Sequence, residues 1–394
     1  MITLPSRRGR ALPAALTCSA ALSCLTISAH AQSTVSRDSV AAERTRPVWR
    51  VGLEAGSAYE QEVRFIGDGA ADAFHRAGGV ISGGVANRRW RAELDARGEV
   101  VRFAALRDLD RETYDVGSTV SWRTTARTQA QLGVRALTST VPSGITQLDP
   151  SVLPLLVTRT QAAVFSLASR LGPSSEAVFA VDGARIRFDA DGFAGGRTAG
   201  ALVRVSGRAL RRTTLGVQAD TRVSDFDSLA VTTALLEGDV GQDLGRVRLR
   251  LRAGATAAQS AATTDAPAEL TVQPTGSIEV SRDIRRWSFA ANAGRSVLPA
   301  FGFGRVLRTD VAGVSATWTR PRGPSLRVGA DASRNTDPLA PGLDLTFLSL
   351  SGEWQQPIGD RVRLLLAAFA RRLDVVTPFN NRGVTLSARF DTSR

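Results

Sequence analysis

Residues 246–258 read RVRLRLRAGATAA, with Arg246, Arg248, Arg250 and Arg252 alternating with Val247, Leu249, Leu251 and Ala253. A two-residue period is that of an extended strand, so the four guanidinium groups share one face and the apolar side chains the other. Such a strand needs water on one side and apolar surroundings on the other. A soluble sandwich supplies the second with its core, and a membrane-spanning sheet supplies it with lipid.

The same period runs through most of the chain. WRAELDARGEV (90–100) separates Trp90, Ala92, Leu94 and Ala96 from Arg91, Glu93, Asp95 and Arg97. TQAQLGVRAL (128–137), SLRVGADAS (325–333), RVRLLLAA (361–368) and GVTLSARF (383–390) repeat the scheme. No stretch of helical period interrupts them, so the chain reads as all-β with about 16–18 strands. Segments 157–168 and 229–240 alternate poorly, which sets the lower figure. In EAVFAVDGARIRFDA (176–190) the apolar parity passes from Phe179 and Val181 to Ile186 and Phe188. A bulge near Gly183 is expected there, because one extra residue exchanges the faces.

The connections point to a topology. Segments 87–89, 171–175, 241–245, 281–286, 321–324 and 355–360 are tight turns, and longer links fall between them at 60–79, 102–112, 138–156, 259–269, 335–342 and 374–382. Loop length that alternates by parity is the mark of a transmembrane up-and-down antiparallel β-barrel, with short turns on the periplasmic side. The tryptophans follow the same parity. Trp49, Trp90 and Trp287 stand where strands leave the short-turn end, and Trp122, Trp318 and Trp354 where strands enter it. They form a girdle at one membrane interface, where an amphipathic ring is stable. Tyr59, Phe103, Tyr114, Phe226, Phe301 and Phe379 are expected to form a second girdle at the opposite ends.

Residues 1–31 read as a cleaved signal peptide: Arg7, Arg8 and Arg10, an apolar run from Ala11 to Ile27, and the small-x-small pattern Ala29-His30-Ala31 before Gln32. Residues 32–48 are a polar, flexible lead-in, 49–390 the barrel and 391–394 a C-terminal tail. Both cysteines, Cys18 and Cys24, fall inside the signal peptide, so no disulfide is expected in the mature chain. The net charge of +13 is carried without a single lysine. Its arginines are scattered through the strands rather than clustered, which argues against nucleic acid as a partner.

From Trp49 to Phe390 the chain resembles Gram-negative outer-membrane β-barrels of the porin type. GVTLSARF resembles their C-terminal insertion signal, with Val384, Leu386 and Ala388 leading to Phe390; here Asp391, Thr392, Ser393 and Arg394 follow the aromatic residue. The resemblance implies an outer-membrane location, lipid and the barrel-assembly machinery as partners, and small hydrophilic solutes as cargo. Homo-oligomerisation is compatible with it.

Catalytic constellations are absent from the sequence. His75, the one histidine outside the signal peptide, is expected in the first long loop as a solvated residue, and no Gly-x-Ser-x-Gly, His-x-x-x-His or Cys-x-x-Cys pattern occurs. DADGF (189–193) reads as an ordinary turn rather than a calcium loop, and no metal or cofactor is expected. The lead-in is too short for a plug domain. What remains is the lumen. The polar parity assigns to its lining Arg91, Glu93, Asp95, Arg97, Arg135, Arg204, Asp220, Arg222, Arg246, Arg248, Arg250, Arg252, Glu279, Asp331, Glu353 and Arg363. These charges brace the wall through cross-strand pairs and set a field across the channel. The reading is a passive channel for small hydrophilic solutes with a preference for anions. The alternatives are the outer-membrane barrel of a polysaccharide-export or secretion system, and a structural surface barrel. Residues 138–156 are the expected constriction.

Overall fold

The computed structural model describes residues 48–61, 71–139, 157–189, 194–226, 229–261, 268–301, 304–321, 323–339, 344–374 and 379–393. They form eighteen strands. In order these are β1 (Val48–Gln61), β2 (Asp72–Ala86), β3 (Trp90–Phe103), β4 (Arg111–Arg123), β5 (Thr128–Ser139) and β6 (Thr158–Arg170). Next come β7 (Ser175–Phe188), β8 (Gly196–Leu210), β9 (Thr213–Phe226), β10 (Ala230–Asp243), β11 (Val247–Ser260) and β12 (Leu270–Ile284). The last six are β13 (Trp287–Ala300), β14 (Arg305–Thr319), β15 (Ser325–Thr336), β16 (Asp344–Ile358), β17 (Val362–Asp374) and β18 (Phe379–Ser393). Among the described residues the only helical element is a 3-10 turn at Arg107–Leu109.

Each strand pairs antiparallel with the next, and β1 pairs with β18, so the sheet closes as an up-and-down barrel. The closing register sets Leu53 opposite Phe390. Residues 391–393, expected as a tail, continue β18 and pair with Gly52, Val51 and Arg50. The reason is that β1 starts at Val48 and offers its backbone groups there.

The turns at one end are tight, and local chemistry sets each one. Asn87 accepts the backbone N–H groups of Arg89 and Trp90 on its side-chain oxygen, both at 2.8 Å. Thr125 Oγ1 accepts those of Arg127 and Thr128. The turn between β12 and β13 has only two residues, and its first, Arg285, has φ 55°. Two-residue hairpins need that left-handed conformation to match the strand twist.

Side chains alternate around the whole wall. On β11, Arg250 and Arg252 point inward while Leu251 points outward and is 42% exposed. The outward apolar face has the height a bilayer needs. On β3 it runs from Trp90 to Val100, and those ten residue steps rise about 25 Å at the usual strand tilt. The poorly alternating segments are nonetheless regular strands, β6 and β10. The expected bulge near Gly183 is absent: β7 keeps one register with β6 and with β8 throughout, and the register shift recorded in β8 and β9 lies between Arg208 and Leu210. Ile186 is buried inside the barrel while Arg185 and Arg187 face outward. The faces are not exchanged there; their chemistry is, because the outer strand ends rise above the hydrocarbon.

Leu251→Arg therefore sets a guanidinium against lipid and should cost about 2–4 kcal/mol, whereas Arg250→Leu should cost much less. Urea unfolding of the barrel reconstituted in lipid vesicles measures both.

Candidate functional site

An eighteen-stranded barrel at the usual tilt has a backbone radius of about 18 Å, more than its own side chains can fill. The site is therefore the lumen. All the lining residues expected from the sequence lie on the inward parity of their strands, except that Arg246 sits in the turn before β11.

Many of these charges are held in ion pairs, mostly across the sheet. Arg204 donates from Nη2 to both carboxylate oxygens of Asp239 at 3.1 Å, and Arg250 reaches the same carboxylate at 3.4 Å. Arg222 pairs with Asp182 at 3.1 Å, Arg252 with Glu279 at 3.2 Å and Arg248 with Asp283 at 2.7 Å. Arg135 grips Asp115 with two guanidinium nitrogens, Nε at 2.7 Å, and Arg91 pairs with Glu93. Arg76 binds Glu54 at 2.9 Å, and Arg97 lies 3.8 Å from Glu54 and Glu99. Glycines make room for the deepest pairs. Gly216 stands opposite Asp239 and Gly200 opposite Arg222, where a Cβ would crowd the charged groups. With side chains at most 15% exposed, Arg204–Asp239 and Arg222–Asp182 are nearly buried.

The outer mouth is lined differently. Ala58, Phe74, Val101, Phe103 and Leu109 form one buried apolar cluster, with the 3-10 turn tucked against the strands. Asp72 anchors that turn by accepting the backbone N–H groups of Ala105 and Leu106. A second cluster joins Ile186, Phe226, Val231 and Ala258 of the wall to Val297, Phe301 and Val306. These last three belong to the β13–β14 hairpin, which leaves the wall to reach them. Pairing of β12 with β13 stops at Gly276 and Arg295, while β12 continues beside β11 as far as Leu270. Pairing of β14 with β15 starts only at Arg308. The tip therefore turns into the mouth, and the Phe301 ring packs 5.0 Å from that of Phe226.

Two sequence expectations change here. Phe103, Phe226 and Phe301 do not form an outer girdle but are buried inside the mouth, and of the expected set Tyr59 and Tyr114 face outward. The side chain of Phe379 lies outside the described residues. His75 is not in a loop: it lies in β2, faces outward, and its Nδ1 is 2.9 Å from Ser57 Oγ. Residues 140–156 and 190–193, which cover most of the expected constriction and turn, also lie outside the described residues. The six tryptophans are all on the outward parity at the short-turn end; Trp90 is in register with Trp122, Trp287 with Trp318, and Trp318 stacks on Trp354 at 6.3 Å. Phe390 is also outward-facing.

No family model matches the chain, and no curated protein matches its sequence. Solved structures do match. Pseudomonas aeruginosa OpdO superposes with a TM-score of 0.53 at 14% identity, over 88% of this chain and 97% of that one. For P. aeruginosa OpdL the values are 0.51, 12%, 88% and 99%. For Acinetobacter baumannii OccAB4 they are 0.51, 10%, 89% and 99%. This is the Opd and Occ barrel fold.

Within that barrel, sequence reasoning found the arginines better than their partners. Glu54, Glu99, Asp115, Asp182, Glu237 and Asp239 were not among the expected lining residues. Asp182 lay where a bulge was expected, and β10 hid Glu237 and Asp239 because its inward face also carries Val231 and Leu235. The turn at 244–246 offered the missing signal: counting back across it sets Asp239 opposite Arg252.

Asp239→Asn removes the carboxylate shared by Arg204 and Arg250. It should destabilise the barrel by about 2–3 kcal/mol, somewhat below the cost of breaking a fully buried pair because lumen water screens it. Asp239→Asn combined with Arg204→Gln should cost less, and denaturant midpoints of both variants check this.

Proposed function

We propose that the protein is an outer-membrane channel of the porin type, through which small hydrophilic solutes diffuse. The observation that carries this reading is a closed eighteen-strand wall with an apolar outside and a charged inside. The solved structures that share its fold are outer-membrane porins. Export through a signal peptide cleaved after Ala31 belongs to the same reading. So does insertion by the barrel-assembly machinery with Phe390 in the closing strand.

The lining supports local fields more than a single sign. The carboxylates beyond the expected set offset many of the arginines, so wall bracing by ion pairs is their first role. Anion preference then rests on the region of Arg204, Arg250 and Arg252, where three guanidinium groups converge on Asp239 and Glu279. Guanidinium groups hold their charge at any working pH, and low-dielectric walls focus their field on passing ions.

Planar-bilayer recording tests the reading. The purified barrel should give stepwise single-channel currents, and a barrel silent without a partner protein would favour an export role instead. Replacing residues 297–306 with a short glycine linker should raise conductance severalfold, since the hairpin tip occupies the mouth. Arg250→Gln with Arg252→Gln should shift the reversal potential in a salt gradient toward cations, most clearly at low ionic strength where screening is weakest.

A further inference from the structure

At the long-loop end, the outward faces of β6, β7 and β8 carry four arginines in an unusual arrangement. Arg159 stands directly opposite Arg187, and Arg185 directly opposite Arg197. All four are exposed. Like charges set directly across an antiparallel ladder destabilise it. Arg159 has a partner in Asp189 at 2.9 Å, and Arg197 has one in Asp225 at 3.0 Å. Arg185 and Arg187 have no carboxylate partner among the described residues. Elsewhere on the rim, outward Arg102, Arg295, Arg334 and Arg372 each have a carboxylate partner, in Glu112, Asp310, Asp344 and Asp374.

The height of the patch is informative. Arg185 is ten residues beyond Ser175, which follows the short turn at 171–174. Ten residues of tilted strand rise about 25 Å, the height of the apolar band. Below it the same outward face carries Ala177, Phe179 and Val181, with Val203 and Val205 beside them on β8. The guanidinium groups of Arg185 and Arg187 thus begin where hydrocarbon gives way to headgroups.

We propose that Arg159, Arg185, Arg187 and Arg197 form a lipid-facing site for a phosphate group on an outer-leaflet glycolipid. The guanidinium fork matches phosphate oxygens in pairs, and a phosphate dianion between opposed arginines turns their repulsion into shared attraction. Asp189 and Asp225 hold the two flanking arginines, and among the described residues the other two have no compensating carboxylate. Lipid headgroups are met by basic pockets of this kind at membrane surfaces. The assignment rests on the orientation that places the short turns on the periplasmic side.

The test uses the full mature barrel in nanodiscs containing either bisphosphorylated lipid A or its dephosphorylated form, with retained lipid read by native mass spectrometry. The wild-type barrel should retain the phosphorylated form about tenfold better. Arg185→Gln with Arg187→Gln should abolish the difference, and Arg102→Gln should leave it intact. Equal retention of the two lipids by the wild type overturns the site, as does an unchanged difference in the double variant. Displacement of lipid A by millimolar inorganic phosphate also overturns it, since recognition would then belong to a free anion. Should the double variant fail to fold, the wild-type comparison decides alone. Conductance of the same preparation separates the two readings: a conducting barrel without phosphate selectivity overturns the lipid site and leaves the channel standing.

Discussion

The hydrogen bonds between the first strand and the last are what the rest of the molecule depends on. They run from Arg50 and Ser393 to Gln61 and Arg382, and they leave the sheet with no edge. An edge in hydrocarbon would strand a row of backbone N–H and C=O groups, a cost of several kcal/mol for each. Closure also gives every strand one face toward lipid and one toward the interior. A slip of one residue anywhere would exchange the two. The two-residue period of RVRLRLR is thus one instance of a condition imposed on all eighteen strands together.

That condition made much of the fold legible in the sequence, and its limits explain the rest. Through the middle of the wall, apolar means outward and charged means inward, and Arg250, Glu279 and Arg135 follow that parity. At the outer ends the equation reverses. Above the bilayer the outward face meets headgroups and water, so Arg185 and Arg187 can stand there, while Ile186 packs inside. A reading that keeps apolar residues outward along a whole strand must then invent a bulge at Gly183, or assign Phe226 to a girdle. The missed carboxylates have a different cause. Asp239 and Glu54 share inward faces with Gly241, Gly56 and Ala58, and small residues blur the contrast on which periodicity depends.

The outer mouth resembles a small globular core built inside a membrane protein. The β13–β14 tip gives up pairing with β12 and β15 over its last turns. In exchange it buries Phe301, which has no exposed surface, among wall residues. Burial of an aromatic ring of that size contributes about 1.5–3 kcal/mol, comparable to the few inter-strand hydrogen bonds forgone. The hairpin is consequently held by packing rather than by the ladder that fixes everything below it.

The absence of lysine has a consequence for the interior. Every inward cation is a guanidinium, and the one histidine of the barrel, His75, looks out toward the membrane side. Guanidinium groups hold their protons across the whole working range of pH. Unlike an ammonium, a guanidinium does not lose its proton as pH rises, so the positive half of the interior field is the same in acid and in alkaline media. A channel lined this way cannot have its cations switched off by base.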